Sequence, residues 1–291
     1  MIGKPVGHDR TILESQRALL GRRLLRHKTA MIGLVIISVM ILVAIFAPYI
    51  AVQDPLQQDI SNRFARPSRF HYFGTDALGR DLFSRVVYGS RISLMLGVVA
   101  VGIAFTIGVG TGLLAGYYPT IDLVVMRLVD ILMAFPTILL AIAIVGVLGP
   151  GIFNAIVAVG ITSIPGFIRI TRASVLSIRE TEYVEAARAT GASEFRIIYQ
   201  HILPNTMAPI IVYGTLHLSS AILSGAILSF LGLGAQPPAP EWGAMVSSSR
   251  QYLNLAPHTA FFPILAIFLT VLGFNFLGDG LRDVLDPRLK N

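Results

Sequence analysis

Six stretches of this chain run for about 20 residues each with few or no charged side chains, the length that crosses a bilayer's hydrocarbon core. The first is TAMIGLVIISVMILVAIFAPYI at 29–50. The others lie at about 91–116, 123–148, 152–175, 206–232 and 259–279. In lipid every backbone N–H and C=O must be bonded internally, so each span must be helical or belong to a closed barrel. Barrel strands alternate apolar and polar residues over about ten positions, and these runs do not alternate. Only 13% of residues are charged, against about 25% in soluble domains. The pattern predicts an all-α integral membrane protein with six transmembrane helices. The first run is longer than a signal peptide's apolar region of roughly 7–15 residues, and no A-x-A site follows it. It is expected to be an uncleaved first span.

Charge sets the expected orientation. Lys4, Arg10, Arg17, Arg22, Arg23, Arg26 and Lys28 crowd the N-terminal tail, and Arg169, Arg172, Arg179, Arg188 and Arg196 lie around the fourth connection. Lys and Arg favour the cytoplasmic side, so both termini and the 177–205 segment are expected there. The opposing signal is 51–90, where Arg63, Arg66, Arg69, Arg80 and Arg85 stand on the outer side beside Asp54, Asp59, Asp76 and Asp81. The net charge of +7 is clustered in this way rather than spread along a stripe, so no nucleic-acid partner is expected. The chain has no Cys, which excludes disulfides, thiolate metal sites and Cys nucleophiles.

One polar segment interrupts the apolar pattern: YVEAARATGASEFRIIYQHILPN, residues 183–205. Phe195, Ile198, Tyr199 and Ile202 fall at i, i+3, i+4 and i+7, the stripe of an amphipathic helix. Before them, small Ala186, Ala187 and Ala189 stand beside Glu185 and Arg188, ahead of Gly191. The spacing predicts a helix, a bend at Gly191, a short helix capped by Ser193, and Pro204 in the first turn of the fifth span. Two readings remain from the residues alone. The segment lies flat on the inner membrane surface, or its small side chains admit the groove of a soluble partner.

The same residues carry a family resemblance. Glu185-Ala186-Ala187, three further residues, Gly191, and then His201-Ile202-Leu203-Pro204-Asn205 resemble the EAA loop of ABC-importer permeases. Further stretches are similar to the dipeptide/oligopeptide/nickel branch. They are Phe73-Gly74-Thr75-Asp76 with Gly79-Arg80-Asp81, Gly232-Leu233-Gly234-Ala235-Gln236-Pro237-Pro238, Glu241-Trp242-Gly243, Gly278-Asp279-Gly280-Leu281-Arg282-Asp283, and Leu285-Asp286-Pro287. Over about residues 20–291 the chain resembles the second, C-type, permease subunit of that branch.

The resemblance implies a type I ABC importer permease fold in a bacterial or archaeal cytoplasmic (inner) membrane. It implies a heterodimer with a homologous B-type permease, two cytoplasmic ATPase subunits and an extracytoplasmic solute-binding protein. The cargo implied is di- or oligopeptide, with nickel, glutathione or opine-like solutes as alternatives. Glu185 would face a basic group on an ATPase, Ala186 and Ala187 would pack closely, Gly191 would allow the turn, and Pro204 would follow. The chain has no G-x-x-x-x-G-K-[ST] loop, so it is expected to bind no cofactor itself. ATP and Mg would sit on the ATPase partners, and no catalytic or metal-ligating residue is expected. A stand-alone secondary transporter and a membrane scaffold are the more distant readings.

The implied organisation is a cytoplasmic tail (1–29), a first span (30–50), an outer loop (51–90), a transmembrane core (91–280) and a cytoplasmic tail (281–291). Within the spans, Gly108, Gly112 and Gly116 recur every fourth residue, a ridge suited to close helix packing. Pro136, Pro165 and Pro263 interrupt three spans and are candidate hinges or static kinks. Arg127 and Asp130 suggest a local ion pair. Asp279, Arg282, Asp283, Asp286 and Arg288 form either a solvated tail or a partner contact. The span centres look largely free of charge, and the six His show no metal spacing. Trp242 suggests an interfacial anchor, with part of the pathway's outer gate as the alternative.

Overall fold

The computed structural model describes residues 27–285, and among them the chain is helical apart from its loops and one isolated bridge, Thr75 to Asp81. Helix α1 (Lys28–Ile45) is followed by the short α2 (Ala47–Ile50), whose first turn accommodates Pro48. The long α3 (Leu82–Tyr117) meets α4 (Pro119–Met133) at Tyr118. Then come α5 (Thr137–Leu148), α6 (Ile152–Ile178), α7 (Glu182–Ala189) and α8 (Glu194–Arg196). A π-helical turn (Ile197–Ile202) leads into α9 (Leu203–Phe230); α10 (Trp242–Ser249) and α11 (His258–Leu285) complete the order. Asp286 and Arg288 lie outside the described residues.

Five helices are long and apolar enough to cross a membrane, and α4 with α5 makes a sixth if the bent pair counts as one span. That pair corrects the expected single helix at 123–148: α4 and α5 meet at 92° across a short break. Pro136 has no N–H to continue the helix, and its ring disfavours helical geometry at Phe135, so α5 starts anew after it. Pro165, Pro209 and Pro263 instead stay inside α6, α9 and α11. The second span is also longer than expected. At 1.5 Å per residue, the 36 residues of α3 reach about 54 Å, well beyond a core of roughly 30 Å. The expected outer loop therefore ends at Asp81, and the first turns of α3 stand outside the hydrocarbon. At the other end, α11 continues to Leu285, so 281–285 is helix rather than free tail.

Small residues let these helices approach closely. A Cβ added at Gly108, Gly112 or Gly116 would come within 2.5–2.7 Å of the Cβ atoms of Phe167, Thr171 and Val175 on α6. Gly33 of α1 faces the backbone of α11 at Leu277 and Gly273, and Gly278 of α11 faces Leu216 of α9. The apolar core between α3 and α6 includes Leu96, Ala100, Ala104, Ala155, Val159 and Phe167. Leu123, Val124 and Leu128 of α4 remain exposed.

The loop between α2 and α3 is held by a polar knot. Asp81 caps α3, accepting from Ser84 N at 2.8 Å and Ser84 Oγ at 2.7 Å, and lies 3.0 Å from His71 Nδ1. Asp76 accepts from the backbone N–H of Leu78 and Arg80 and pairs with Arg80 Nε at 2.7 Å and Arg85 Nε at 3.6 Å. Arg85, with only 5% of its side chain exposed, also donates to Pro55 O at 2.9 Å. Two of the arginines that opposed the charge count, Arg80 in the loop and Arg85 in the first turn of α3, thus share the Asp76 carboxylate. Asp76→Ala leaves both guanidinium groups without their carboxylate, and losing one partner of a buried pair costs about 3–5 kcal/mol. Its thermal midpoint in detergent is expected to fall accordingly, whereas Asp54→Ala, on the exposed rim, changes it little.

On the same side, Glu241 caps α10 through Ala244 N (2.8 Å) and accepts from Ser93 Oγ (3.1 Å). Burial pushes its carboxyl above the ordinary range, and these hydrogen bonds oppose that shift. Trp242 beside it is 1% exposed and donates its indole N–H to Val86 O at 3.0 Å. It pins α10 to α3 among Leu82, Met245 and Ala266, so it is a core residue rather than an interfacial anchor.

Candidate coupling segment

The polar segment folds as a helix, a glycine turn and a second helix. α7 carries Glu182 and Glu185 in its first turn and Arg188 in its last, each sign matching the helix dipole. It ends in a Schellman motif. Ala192 N–H donates to Ala187 O at 3.1 Å and Gly191 N–H to Arg188 O at 3.0 Å, with Gly191 at φ +78°. Glycine takes that conformation without a Cβ penalty. Ser193 then caps α8 through Arg196 N at 3.4 Å.

Beyond the cap the chain does not break again: Glu194–Phe230 is one helix of 37 residues, with the π turn inside it. Pro204 lies in the first turn of α9 and cannot donate to Gln200 O, where an α-helix would place that bond. The wider turn just before it accommodates this loss. It also changes the expected stripe. Ile198 and Ile202 are buried with Ile197 and Val184, while Phe195 and Tyr199 turn outward with ring centroids 4.4 Å apart.

The segment presents two faces. Val184, Ile197 and Ile202 belong to the main core, and Ala187 packs against it. Glu185, Ala186, Arg188, Ala189 and Gly191 are exposed, with Phe195 and Tyr199 beside them. Tyr118, at the α3–α4 corner, donates its hydroxyl to Glu194 Oε2 at 2.7 Å, a bond that raises the phenol's pKa. Arg179, just after α6, donates to Gly116 O at 3.0 Å. The segment is therefore tied to the end of α3 through Tyr118 and to the core through Val184, Ile197 and Ile202, with a small-residue surface facing outward.

Residues 108–291 match the family described as "Binding-protein-dependent transport system inner membrane component", and 15–67 match "N-terminal TM domain of oligopeptide transport permease C". The chain belongs to the binding-protein-dependent permease family. It is the permease component of an ABC importer, a multi-pass inner-membrane transport subunit and not an enzyme. Among its relatives is "Dipeptide transport system permease protein DppC" of Alkalihalophilus pseudofirmus, 52% identical over 93% of this chain and 89% of that protein. "Glutathione transport system permease protein GsiD" of Pectobacterium atrosepticum is 46% identical over 99% of this chain and 96% of that protein. The inward-facing MetNI methionine ABC transporter shares the fold, with a TM-score of 0.55 at 22% identity, covering 69% of this chain and 96% of that one.

Other expected residues of the permease are distributed differently. Asp130 pairs with Arg169 of α6 at 2.9 Å rather than with Arg127, which tethers α4 to α6 instead of closing a local pair. Arg172 of α6 makes a second such pair with Asp122. Asp283 meets His27 at 3.1 Å, joining the last helix to the start of the first. Pro136 stands at the α4–α5 break, and Pro165 at the middle of α6. Among the described residues no cluster of three or more His, Asp or Glu is placed to hold a metal ion.

One residue was passed over in the charge count. His217 sits midway along α9, stacked on Tyr213, and its Nε2 is buried without a hydrogen-bond partner. The available signal was an ionisable ring at the centre of a membrane span, which is a functional candidate by default.

Proposed function

We propose that this permease forms half of a translocation pathway for di- or oligopeptides, beside a homologous B-type permease. Two cytoplasmic ATPases seat against residues 183–205, and an extracytoplasmic binding protein delivers the solute. The observation that carries this reading is the unbroken Glu194–Phe230 helix. The small-residue surface of α7 joins this helix through the hydrogen-bonded turn at Gly191, so force on that surface passes through the turn to the span. Glu185 faces a basic group on the ATPase, Ala186 and Ala187 admit its groove, Gly191 sets the turn, and Pro204 starts the span. Both termini are cytoplasmic, and Pro136, Pro165 and Pro263 are the points where the spans flex. ATP and Mg belong to the partners.

The relative named for glutathione supports a second cargo, a tripeptide-like thiol, within the same importer class. The test is uptake by proteoliposomes holding both permeases and the ATPases, supplied with binding protein, using a labelled dipeptide and labelled glutathione. ATP-dependent accumulation of one of them that needs all components is expected, and it selects the cargo. Accumulation driven by an ion gradient without ATP contradicts the coupling role.

A further inference from the structure

A cavity of about 140 Å³ lies between the α4–α5 break and the middles of α6 and α9. Its polar walls are Thr137 at the start of α5, Thr162 and Ser163 on α6, and Tyr213 and His217 on α9; Gly166 completes the α6 wall. Gly166 and His217 each stand near the midpoint of their span, so the cavity lies deep in the membrane. The imidazole stacks on Tyr213 with ring centroids 5.4 Å apart, and Phe167 packs edge-on against both rings. His217 Nε2 has no partner in this setting. Gly166 leaves room for the Tyr213 hydroxyl, which a Cβ there would displace.

An orphan polar group at such depth is costly, and lipid tails supply no partner for it. The cavity must therefore open toward water or solute rather than lipid. Ser163 and Thr162 commit their hydroxyl protons to Val159 O, at 2.6 and 3.1 Å. Tyr213, His217 and, at the rim, Thr137 remain as donors, and no Asp or Glu lines the cavity to receive a cation. At a share of roughly 30 Å³ per water, it holds about four or five waters, or one terminal group of a larger solute. Tyr213 also lines a second cavity of about 550 Å³, which reaches Asn205 and Arg282 at the far ends of α9 and α11. The two cavities meet at Tyr213, and the second reaches a cation, Arg282.

We propose that Tyr213 and His217 form a solute subsite in the pathway that takes the carboxylate of a small peptide-like solute. The proposal rests on the permease reading above and adds to it the group recognised and the residues that recognise it. The solute crosses this level with its carboxylate on the phenol O–H and imidazole N–H, and passes Tyr213 toward Arg282.

The probes are labelled alanyl-alanine and its C-terminal amide, taken up by proteoliposomes holding the complete importer. The binding protein is the same throughout, so a change in acid-to-amide ratio caused by a permease variant belongs to the permease. Tyr213→Phe, which keeps the ring, and His217→Leu are each expected to lower that ratio about tenfold or more, the scale of one lost hydrogen bond to a charged group. His217→Gln, which keeps a donor, retains the ratio. An unchanged ratio in both Tyr213→Phe and His217→Leu overturns the subsite. Nitrogen-15 histidine spectra of the complex without binding protein supply a readout independent of transport. The resonance lost in His217→Leu is expected to shift with millimolar alanyl-alanine and not with the amide. No shift with the acid overturns the proposal. If wild type imports neither probe while His217 still responds to the acid, the peptide cargo fails and the carboxylate subsite stands.

Discussion

Replacing Gly191 by proline is expected to cut ATP-driven uptake roughly 100-fold while the permease still inserts and folds, near the upper end of the about 5–150-fold carried by typical coupling energies. Gly191 sits at φ +78°, and proline is locked near −65°. Its N–H bond to Arg188 O is lost as well. The turn then reopens, and α7 leaves its seat beside α8 although neither helix has changed sequence. A Cβ at Gly191 meets no atom within 4 Å, so the effect is conformational rather than steric. Asparagine, which visits the left-handed region more readily than other side chains, is therefore expected to retain most uptake. The paired measurements are uptake and stimulated ATP hydrolysis in the same proteoliposomes. Normal uptake by Gly191→Pro with the ATPases bound removes the segment from the energy path.

That turn was legible in the sequence because its cause is local. An acidic first turn, a glycine and a serine cap each act within a few residues. The spans were legible for a different reason: hydrocarbon leaves an apolar run of this length no alternative to helix. What escaped depends on neighbours distant in sequence. Pro136 ends a helix whereas Pro165, Pro209 and Pro263 do not. Composition cannot separate these cases, because a proline's outcome depends on how its own helix is packed against neighbours distant in sequence. Arg169 captures Asp130 from another helix, overriding the nearer Arg127. The stripe from Phe195 to Ile202 assumed a regular helical period, and the π turn before Pro204 rotated the aromatic pair out of it. Trp242 looked like a membrane anchor until its indole found Val86 O, a contact across 156 positions.

The candidate site divides the same way. Its exposed face was readable as small residues beside charges, but its firmness was not. Tyr118 bonding to Glu194 ties the segment to the end of α3, and Arg179 bonding to Gly116 O ties the end of α6 to the same end of α3. Under the proposed coupling role, these contacts make the motif a lever. A lever needs a stiff base, and the α3–α6 contact supplies it.

Gly112→Leu is therefore expected to destabilise the fold by at least about 3 kcal/mol, the upper range for overpacking a filled contact. The helices do not associate here through exclusion of water, since lipid is as apolar as the side chains; close packing supplies the attraction. A Cβ at Gly112 already falls 2.7 Å from Thr171 Cβ and 2.8 Å from Ile168 O. The second neighbour is backbone, so trimming Thr171 to alanine cannot rescue the variant, and the two helices must move apart. Separation breaks the register with Gly108 and Gly116, which face Phe167 and Val175 one turn away on either side. Gly110 provides the control: it is exposed, with nothing within 4 Å of an added Cβ. Gly110→Ala is expected to hold or raise the thermal midpoint, by up to about 1 kcal/mol from helix propensity. Thermal unfolding of both variants in one detergent decides the matter, and a wild-type midpoint for Gly112→Leu would mean that the close approach of α3 and α6 does not hold the fold. If Gly112→Ala lowers the midpoint only slightly yet still lowers uptake, the contact matters as the lever's base as well as for stability.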